Sequence, residues 1–298
     1  TSFKQGNMVY CTPATGRLVQ LKLKVKRKQI RYVQVGETII VRGCSVTAFE
    51  ANHCPGAVMF LFHVHSSGHK HLHVGDFRYD RSKIKLTAGM FPLENVYLDT
   101  TYCDPKYTFP SQDQAIENAC RLARKYASSP RCLVYFGTYS IGKENMFMRV
   151  VHSLAESERV RDNICVSKEK FRILQSLGEY FSLEEWAQFT IDKKKSRFHV
   201  VPMNQLKLET LAKKVKGSKF YDKIVAFRPT GWSKSAAVSH DKSGLATLIS
   251  IPYSEHSSFS ELKAFVKDIR MRHQVERSPT FIPTVATSKE KMNTILCP

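Results

Sequence analysis

Apolar residues along this chain recur at two intervals. Between Gln112 and Ala127 they fall at Ala115, Ile116, Ala119, Cys120, Leu122 and Ala123, the spacing of one helix face, and the unbroken run CLVYF follows from Cys132. A helix leading straight into a short buried strand is the unit of an alternating α/β layer. The same reading predicts helices over Asn145–Ala155, Ser167–Leu177, Met203–Val215 and Ser260–Ile269. It predicts strands over Thr38–Val41, Ser45–Phe49, Ala57–Phe62, Lys223–Phe227 and Leu245–Ile251. Leu18–Val35, LVQLKLKVKRKQIRYVQV, alternates apolar and basic residues through its first half, the period of a half-buried strand. Its polar face would carry Lys22, Lys24, Lys26 and Lys28, a row that either steers a polyanion or discourages sheet pairing at an edge. No internal repeat or low-complexity segment interrupts the pattern.

A length of 298 residues suits two domains, and 42% hydrophobic with 24% charged residues is a globular composition. No apolar run approaches the length of about 18 residues needed to span a bilayer, so no membrane partner is expected. The formal charge of +20 changes the picture more, because a surplus of that size favours phosphate backbones or acidic membrane surfaces, with nucleic acid the leading reading. The cluster Lys193, Lys194 and Lys195 reads as a loop, with nuclear import as the alternative. Eight cysteines show no CxxC and no framework spacing, and several sit in apolar segments such as Cys132. Reduced, core-filling thiols in an intracellular compartment are expected. The chain starts at Thr1 instead of Met, so a missing N-terminal stretch is expected and any targeting signal in it is not visible.

Three short segments place metal-ligand side chains where strands give way to loops: His53 in ANHCPG, Asp76 in VGDFR and His256 in PYSEHSS. Imidazole suits zinc and a carboxylate can bridge two cations, so these three could form part of a metal centre, although each alone is an ordinary polar loop residue. His63, His65, His69, His71 and His73 alternate across HVHSSGHKHLH and read as an ordinary hairpin leading into Asp76. Two further loops could face an anion. In CLVYFGTYSIGKEN a strand, a glycine-bearing loop and a helix start offer Thr138, Tyr139, Ser140 and Lys143, with Ser140 equally readable as a helix N-cap. In FRPTGW, Thr230 and the Gly231 amide could meet a phosphate, while Trp232 reads as core packing.

The ordered strings ANHCPGAVMF, GDFR, LDTTYC, FGTYSIGKE, FRPTGW and IPYSEHSS resemble the DNA cross-link repair nucleases of the metallo-β-lactamase/β-CASP group over nearly the whole chain. The resemblance implies an α+β fold, an αββα metallo-β-lactamase sandwich with an inserted β-CASP α/β domain. The corresponding ranges are 1–107 and 244–298 for the sandwich and 108–243 for the insertion, with substrate in the cleft between them. It implies metal ligation by His53, Asp76 and His256, with Asp76 bridging two ions. Asp99, the first β-CASP signature residue, would orient a ligating imidazole, direct ligation being the alternative. Asp76, Asp99 and His256 would thus be the catalytic residues. Val285 in FIPTV matches the position where valine accompanies DNA and histidine accompanies RNA. The implied cofactor is Zn2+, one or two ions, with Mg2+ or Mn2+ as alternatives. The implied partners are single-stranded or 5′-phosphorylated DNA and other repair proteins, in the nucleus. The implied activity is 5′-to-3′ exonucleolytic trimming in interstrand cross-link or double-strand-break repair.

One departure bears on activity. The family's HxHxDH loop should precede YCTPATG, and the sequence has no such string. Two metals acting as a hydrolytic clamp need more than three ligands, so this chain by itself is expected to hydrolyse little or nothing, as an N-terminally truncated nuclease. The rival expectations are a DNA-binding pseudonuclease or repair scaffold, and an RNA-processing β-CASP endonuclease.

Overall fold

The computed structural model describes residues 7–158, 163–233, 235–273 and 278–296. The chain forms two compact units, 1–108 with 255–298, and 109–254. The first opens with β1 (Val9–Cys11), α1 (Pro13–Leu23), β2 (Ile30–Tyr32), β3 (Thr38–Val41), β4 (Cys44–Glu50), β5 (Val58–Val64), β6 (Lys70–His73) and β7 (Asn95–Leu98). The second contains α2 (Gln112–Ala127), β8 (Cys132–Thr138), α3 (Glu144–Glu158), β9 (Ile164–Cys165), α4 (Lys168–Ser176) and α5 (Leu183–Gln188). It continues through β10 (Phe189–Thr190), β11 (Phe198–Pro202), α6 (Leu208–Val215), β12 (Lys223–Thr230), β13 (Ala237–His240) and β14 (Ala246–Pro252). The chain then returns to the first unit as α7 (Phe259–Arg272), β15 (Thr280–Pro283) and α8 (Lys289–Leu296).

In the first unit, six strands run in the order β15-β7-β6-β5-β4-β3. Met59, Leu61, Leu72, Val96 and Leu98 on one face of this sheet pack against Leu262, Phe265 and Ile269 of α7 and Met292 and Ile295 of α8. A smaller cluster of Val33, Ile39, Val46 and Ala48 lies with Phe60 and Phe62. Tyr79 and Arg81 both hydrogen-bond the Asp268 carboxylate of α7. Burial and the Asp268 carboxylate push the Tyr79 phenol up to about 12, against an opposing pull from Arg81. A phenol raised in the folded state contributes stability that is complete below its unfolded value near 10 and is lost as pH rises through about 12. The thermal midpoint should therefore fall across that window, and Tyr79→Phe should flatten the fall. An unchanged pH profile in the variant would show that this phenol carries no linkage.

The Leu18–Val35 segment corrects the sequence expectation, since its first part is helix and not strand. Thr12 caps α1 through Thr15 N, Pro13 occupies the first turn, and Lys24 ends the helix in the left-handed region at φ 57°. Val25 and Ile30 then bury with Cys11, so the alternation follows the helix end and the turn beyond it. Gly16 permits this packing, because a Cβ there would lie 2.5 Å from the Tyr32 ring. The edge-strand account of the lysines falls with the strand, and Lys22, Lys24, Lys26 and Lys28 are all exposed.

The second unit is built on a seven-stranded sheet in the order β10-β9-β11-β8-β12-β14-β13, with β8, β9, β10, β11, β12 and β14 parallel. A central parallel strand is covered on both faces, which is why β8 is buried at every position and reads as an unbroken apolar run. β14 lies between β12 and β13, so residues 246–252 belong to this sheet and not to the returning segment that sequence placed at 244–298. Seven backbone partner pairs with β12 decide that boundary, and no local signal in the strand announces them. Among the described residues no helix is long and apolar enough to cross a membrane. Cys11, Cys103, Cys120, Cys132 and Cys165 are buried and outside disulfides.

Candidate functional site

His53, Asp76 and His256 converge in the first unit, each offering a ligand atom within 4.8 Å of the others. Three turns bring them there. Asn52 adopts φ 50° and its amide donates to the Arg78 carbonyl at 2.9 Å, which ties the His53 loop to the segment after Asp76. The Ser257 amide donates to the Phe77 carbonyl at 3.0 Å, and the Ser257 hydroxyl accepts from Tyr79 N at 2.9 Å, which ties the His256 loop to the same segment. Ser258 and Glu261 form a capping box at the start of α7, and Glu261 also accepts from Arg78. Beyond Cys54, Gly56 adopts φ 84°, and a Cβ there would meet the Thr12 and Thr15 hydroxyls at 2.9 Å. Those hydroxyls donate to the Gly56 carbonyl at 2.7 and 2.9 Å.

The hydrogen bonds engage Nδ1 of both rings. His53 Nδ1–H donates to the Glu255 carbonyl at 2.8 Å, leaving Nε2 on the side of Asp76, 3.9 Å from its carboxylate. His256 Nδ1–H donates to Asp99 Oδ2 at 2.8 Å, which likewise makes Nε2 the candidate ligand atom. The carboxylate of Asp99 is 2% exposed and also accepts from Phe77 N at 3.4 Å, Thr101 N at 3.0 Å and the Thr101 hydroxyl at 2.6 Å. Burial would raise this acid, but the bonds from His256 and Thr101 outweigh it and hold it below the usual carboxylate range. For His256, burial would lower the ring, and the neighbouring carboxylates, Asp99 foremost, prevail and raise it. Asp99 therefore stands behind His256 and outside the three-ligand group. Two imidazoles bonded through Nδ1 and an exposed carboxylate are a donor set that fits a divalent cation.

Among the described residues the alternating histidines form no cluster of three possible ligands. His65 pairs with the Ser45 hydroxyl at 2.7 Å, His71 with the Asn95 amide at 3.0 Å, and His73 accepts from Gly75 N at 3.1 Å while stacking on Tyr97. They lie on and around the β5–β6 hairpin. Val285 follows β15, and its carbonyl accepts from the Thr100 hydroxyl at 3.3 Å.

In the second unit the two loops that sequence offered for an anion leave the carboxyl ends of the adjacent parallel strands β8 and β12. Thr138 ends β8 and is buried, Tyr139 is 65% exposed, and Ser140 is exposed. Lys143 is buried at φ 70°, with Nζ 5.3 Å from the Tyr253 ring centre just beyond β14. Thr230 ends β12, where its hydroxyl accepts from Trp232 N at 3.2 Å, and Gly231 is buried. Ser140 does not cap α3, which starts at Glu144, four residues later. Trp232 is 67% exposed, so the expectation of core packing fails. A turn at the end of a strand leaves a side chain with little sheet to cover it.

Sequence reading missed the group that shapes the Tyr139–Lys143 loop. Lys170 Nζ reaches Glu144 at 2.8 Å and the carbonyls of Ser140 and Tyr139 at 3.1 and 3.4 Å. Glu144 also accepts from Gly142 N at 3.1 Å. The two are 26 residues apart, and only a charged residue at a buried helix position could have pointed to them.

The DNA repair metallo-beta-lactamase family matches residues 184–289. The human DNA cross-link repair 1A protein is 40% identical over 270 residues, covering 87% of this chain and 25% of the relative. DNA cross-link repair protein SNM1 of Arabidopsis thaliana is 35% identical over 300 residues, covering 95% of this chain and 58% of the relative. The 5′ exonuclease Apollo of Gallus gallus is 34% identical over 261 residues, covering 87% of this chain and 51% of the relative. The chain thus spans between a quarter and three fifths of the length of these three relatives. A solved protein of unknown function from Enterococcus faecalis V583 shares the fold, with a TM-score of 0.55 at 14% identity over 94% of this chain and 74% of the other. The family match, the relatives at 34–40% identity and the candidate ligand cluster agree, and the chain belongs to the DNA repair metallo-beta-lactamase family.

Proposed function

We propose that the protein is a metal-dependent DNA nuclease that trims 5′-phosphorylated ends in interstrand cross-link or double-strand-break repair, and that it works in the nucleus. The observation that carries this reading is the convergence of His53, Asp76 and His256 with Asp99 fixing the His256 ring. His53, Asp76 and His256 would hold the metal, and Zn2+ suits two imidazoles and a carboxylate, with Mg2+ and Mn2+ as the harder alternatives. A divalent ion there supplies Lewis-acid polarisation of a phosphoryl oxygen and activation of water. The chain's own contribution is to hold both Nε2 atoms and the Asp76 carboxylate in register. Thr138, Tyr139, Ser140, Lys143, Thr230 and the Gly231 amide would bind the DNA end through its 5′-phosphate, and the 5′ exonuclease Apollo at 34% identity supports that end preference.

A first test measures zinc content and 5′-end preference. The chain should retain about one zinc per molecule, released by EDTA and lost in His256→Ala, and should bind a 5′-phosphorylated strand more tightly than its 5′-hydroxyl counterpart. Cleavage of 5′-phosphorylated DNA should be EDTA-sensitive and absent from Asp76→Ala. No retained metal would sink the reading. A second reading, DNA binding without catalysis, is favoured by the count of ligands, since three converge among the described residues and a two-ion clamp needs more. It predicts end binding without EDTA-sensitive cleavage.

The basic end of α1 supports a polyanionic substrate. Eight Lys or Arg and no Asp or Glu precede Glu37 in the sequence, and Lys24, Lys26, Lys28 and Arg31 are exposed. Thr12 and Thr15 anchor the start of the helix on the loop that follows His53, so its basic end lies roughly 15 Å further along the helix. That distance is about four to five base pairs of duplex. Replacing Lys24, Lys26 and Lys28 with Gln should lower the slope of log affinity against log salt by roughly two to three on duplexes longer than this. Shorter duplexes should show little change. An unaltered slope on long DNA would remove this surface from the substrate path.

A further inference from the structure

A pocket of about 390 Å³ opens in the second unit, lined by Tyr139, Ser167, Ile173, Val200, Met203 and Asn204 among others. Its position follows from the topology. β8 connects through α3 to β9, two places to one side, whereas its neighbour β11 connects through α6 to β12, two places to the other. Right-handed crossovers of opposite direction send the two helices to opposite faces. The packing agrees: Phe147 of α3 meets Phe136 of β8, while Leu211 and Val215 of α6 lie with Leu133 and Tyr135 on its other side. The diverging chains leave a crevice at the carboxyl ends of β8 and β11, the place where open α/β sheets bind ligands. The volume falls in the range of small-molecule sites.

The lining specifies the ligand class. Ile173, Val200 and Met203 give apolar walls, Ser167 and Asn204 give polar edge groups, and the exposed Tyr139 ring supplies an aromatic face. Lys170 also borders the pocket, but its ammonium is directed to Glu144 and two loop carbonyls, so it adds little positive charge for a phosphate. A flat heteroaromatic ring with hydrogen-bonding edges fits these walls better than an anion does. Tyr139 and Ser140 belong both to the pocket and to the loop assigned to the 5′-phosphate. We propose that this pocket receives the base of a nucleotide whose phosphate is held at the Ser140–Lys143 turn, which makes it a base subsite for the terminal nucleotide of a DNA strand. The inference rests on the phosphate reading of that loop.

Binding is tested by calorimetry on the full chain with three probes: deoxyadenosine 5′-monophosphate, deoxyribose 5-phosphate and deoxyadenosine. Stacking of a base on an aromatic side chain predicts that the monophosphate binds roughly five- to hundred-fold tighter than the sugar phosphate. Asn204→Trp, at an exposed position on the rim, should fill the pocket and abolish that ratio while leaving sugar phosphate binding intact. Tyr139→Ala should also reduce the ratio. Equal affinity of the two phosphates for the unmodified chain overturns the base subsite and leaves the phosphate reading standing. A ratio that survives Asn204→Trp overturns it as well, because the base then binds elsewhere. Deoxyadenosine binding that Asn204→Trp removes, without sugar phosphate binding, supports the pocket and overturns the phosphate reading. Absence of binding by all three overturns both.

Discussion

Asp99→Asn should weaken zinc binding about 10- to 100-fold, the usual cost of losing the partner that orients a ligating imidazole. The carboxylate accepts from His256 Nδ1 at 2.8 Å and is itself held by three donors, from Phe77 and Thr101. Asparagine keeps the shape but removes the charge, and its amide can present N–H where the imidazole needs an acceptor. His256 can then rotate or take the other tautomer, and Nε2 no longer stays available to the ion. Zinc titration with a competing chelator measures the change, and thermal melts of the metal-free proteins separate it from unfolding. Affinity within two-fold of the unmodified chain, with the fold intact, would mean that Asp99 does not position His256. Asp99→Ala should cost at least as much, because it also leaves buried donors without an acceptor.

Lys170→Met should destabilise the chain by about 3–5 kcal/mol, since removing one partner of a buried ion pair leaves the other charge buried and unpaired. Glu144 is 2% exposed and Lys170 7%, so solvent offers little compensation. The pair also carries a loop: Lys170 Nζ holds the carbonyls of Tyr139 and Ser140, and Glu144 holds the Gly142 amide. Glu144→Gln should be milder because the amide oxygen can still accept from Lys170 and Gly142. Urea unfolding gives the stability change, and a double-mutant cycle with Lys170→Met and Glu144→Leu isolates the coupling. The double replacement should recover part of the stability and none of the 5′-phosphate preference proposed for the loop. Single-variant losses below about 1 kcal/mol would show that the pair is solvated in solution and does not hold the loop.

Local sequence determined the elements whose periodicity and caps agree. α2 runs Gln112–Ala127 as its apolar spacing predicts, with Ser111 and Gln114 closing a capping box that needs no distant residue. CLVYF became a central parallel strand because burial on both faces demands an unbroken apolar run. The three ligand candidates were also legible, as His or Asp at strand-to-loop transitions within distinctive strings. Tertiary structure decided what depends on partners far along the chain. The helix at Pro13–Leu23 overrode a period-two pattern, with Val19 packing against the Cys11, Val25 and Ile30 cluster, a packing outcome that alternation does not encode. β14 joined the second unit because its partner strands are β12 and β13. Asp99 and His256 are 157 residues apart, so their bond, and with it the choice of ring nitrogen, exists only once β7 and the turn before α7 are in place. Periodicity reports the neighbours within a few residues, whereas a buried hydrogen bond or ion pair is specified by whichever groups the completed fold brings within about 3 Å.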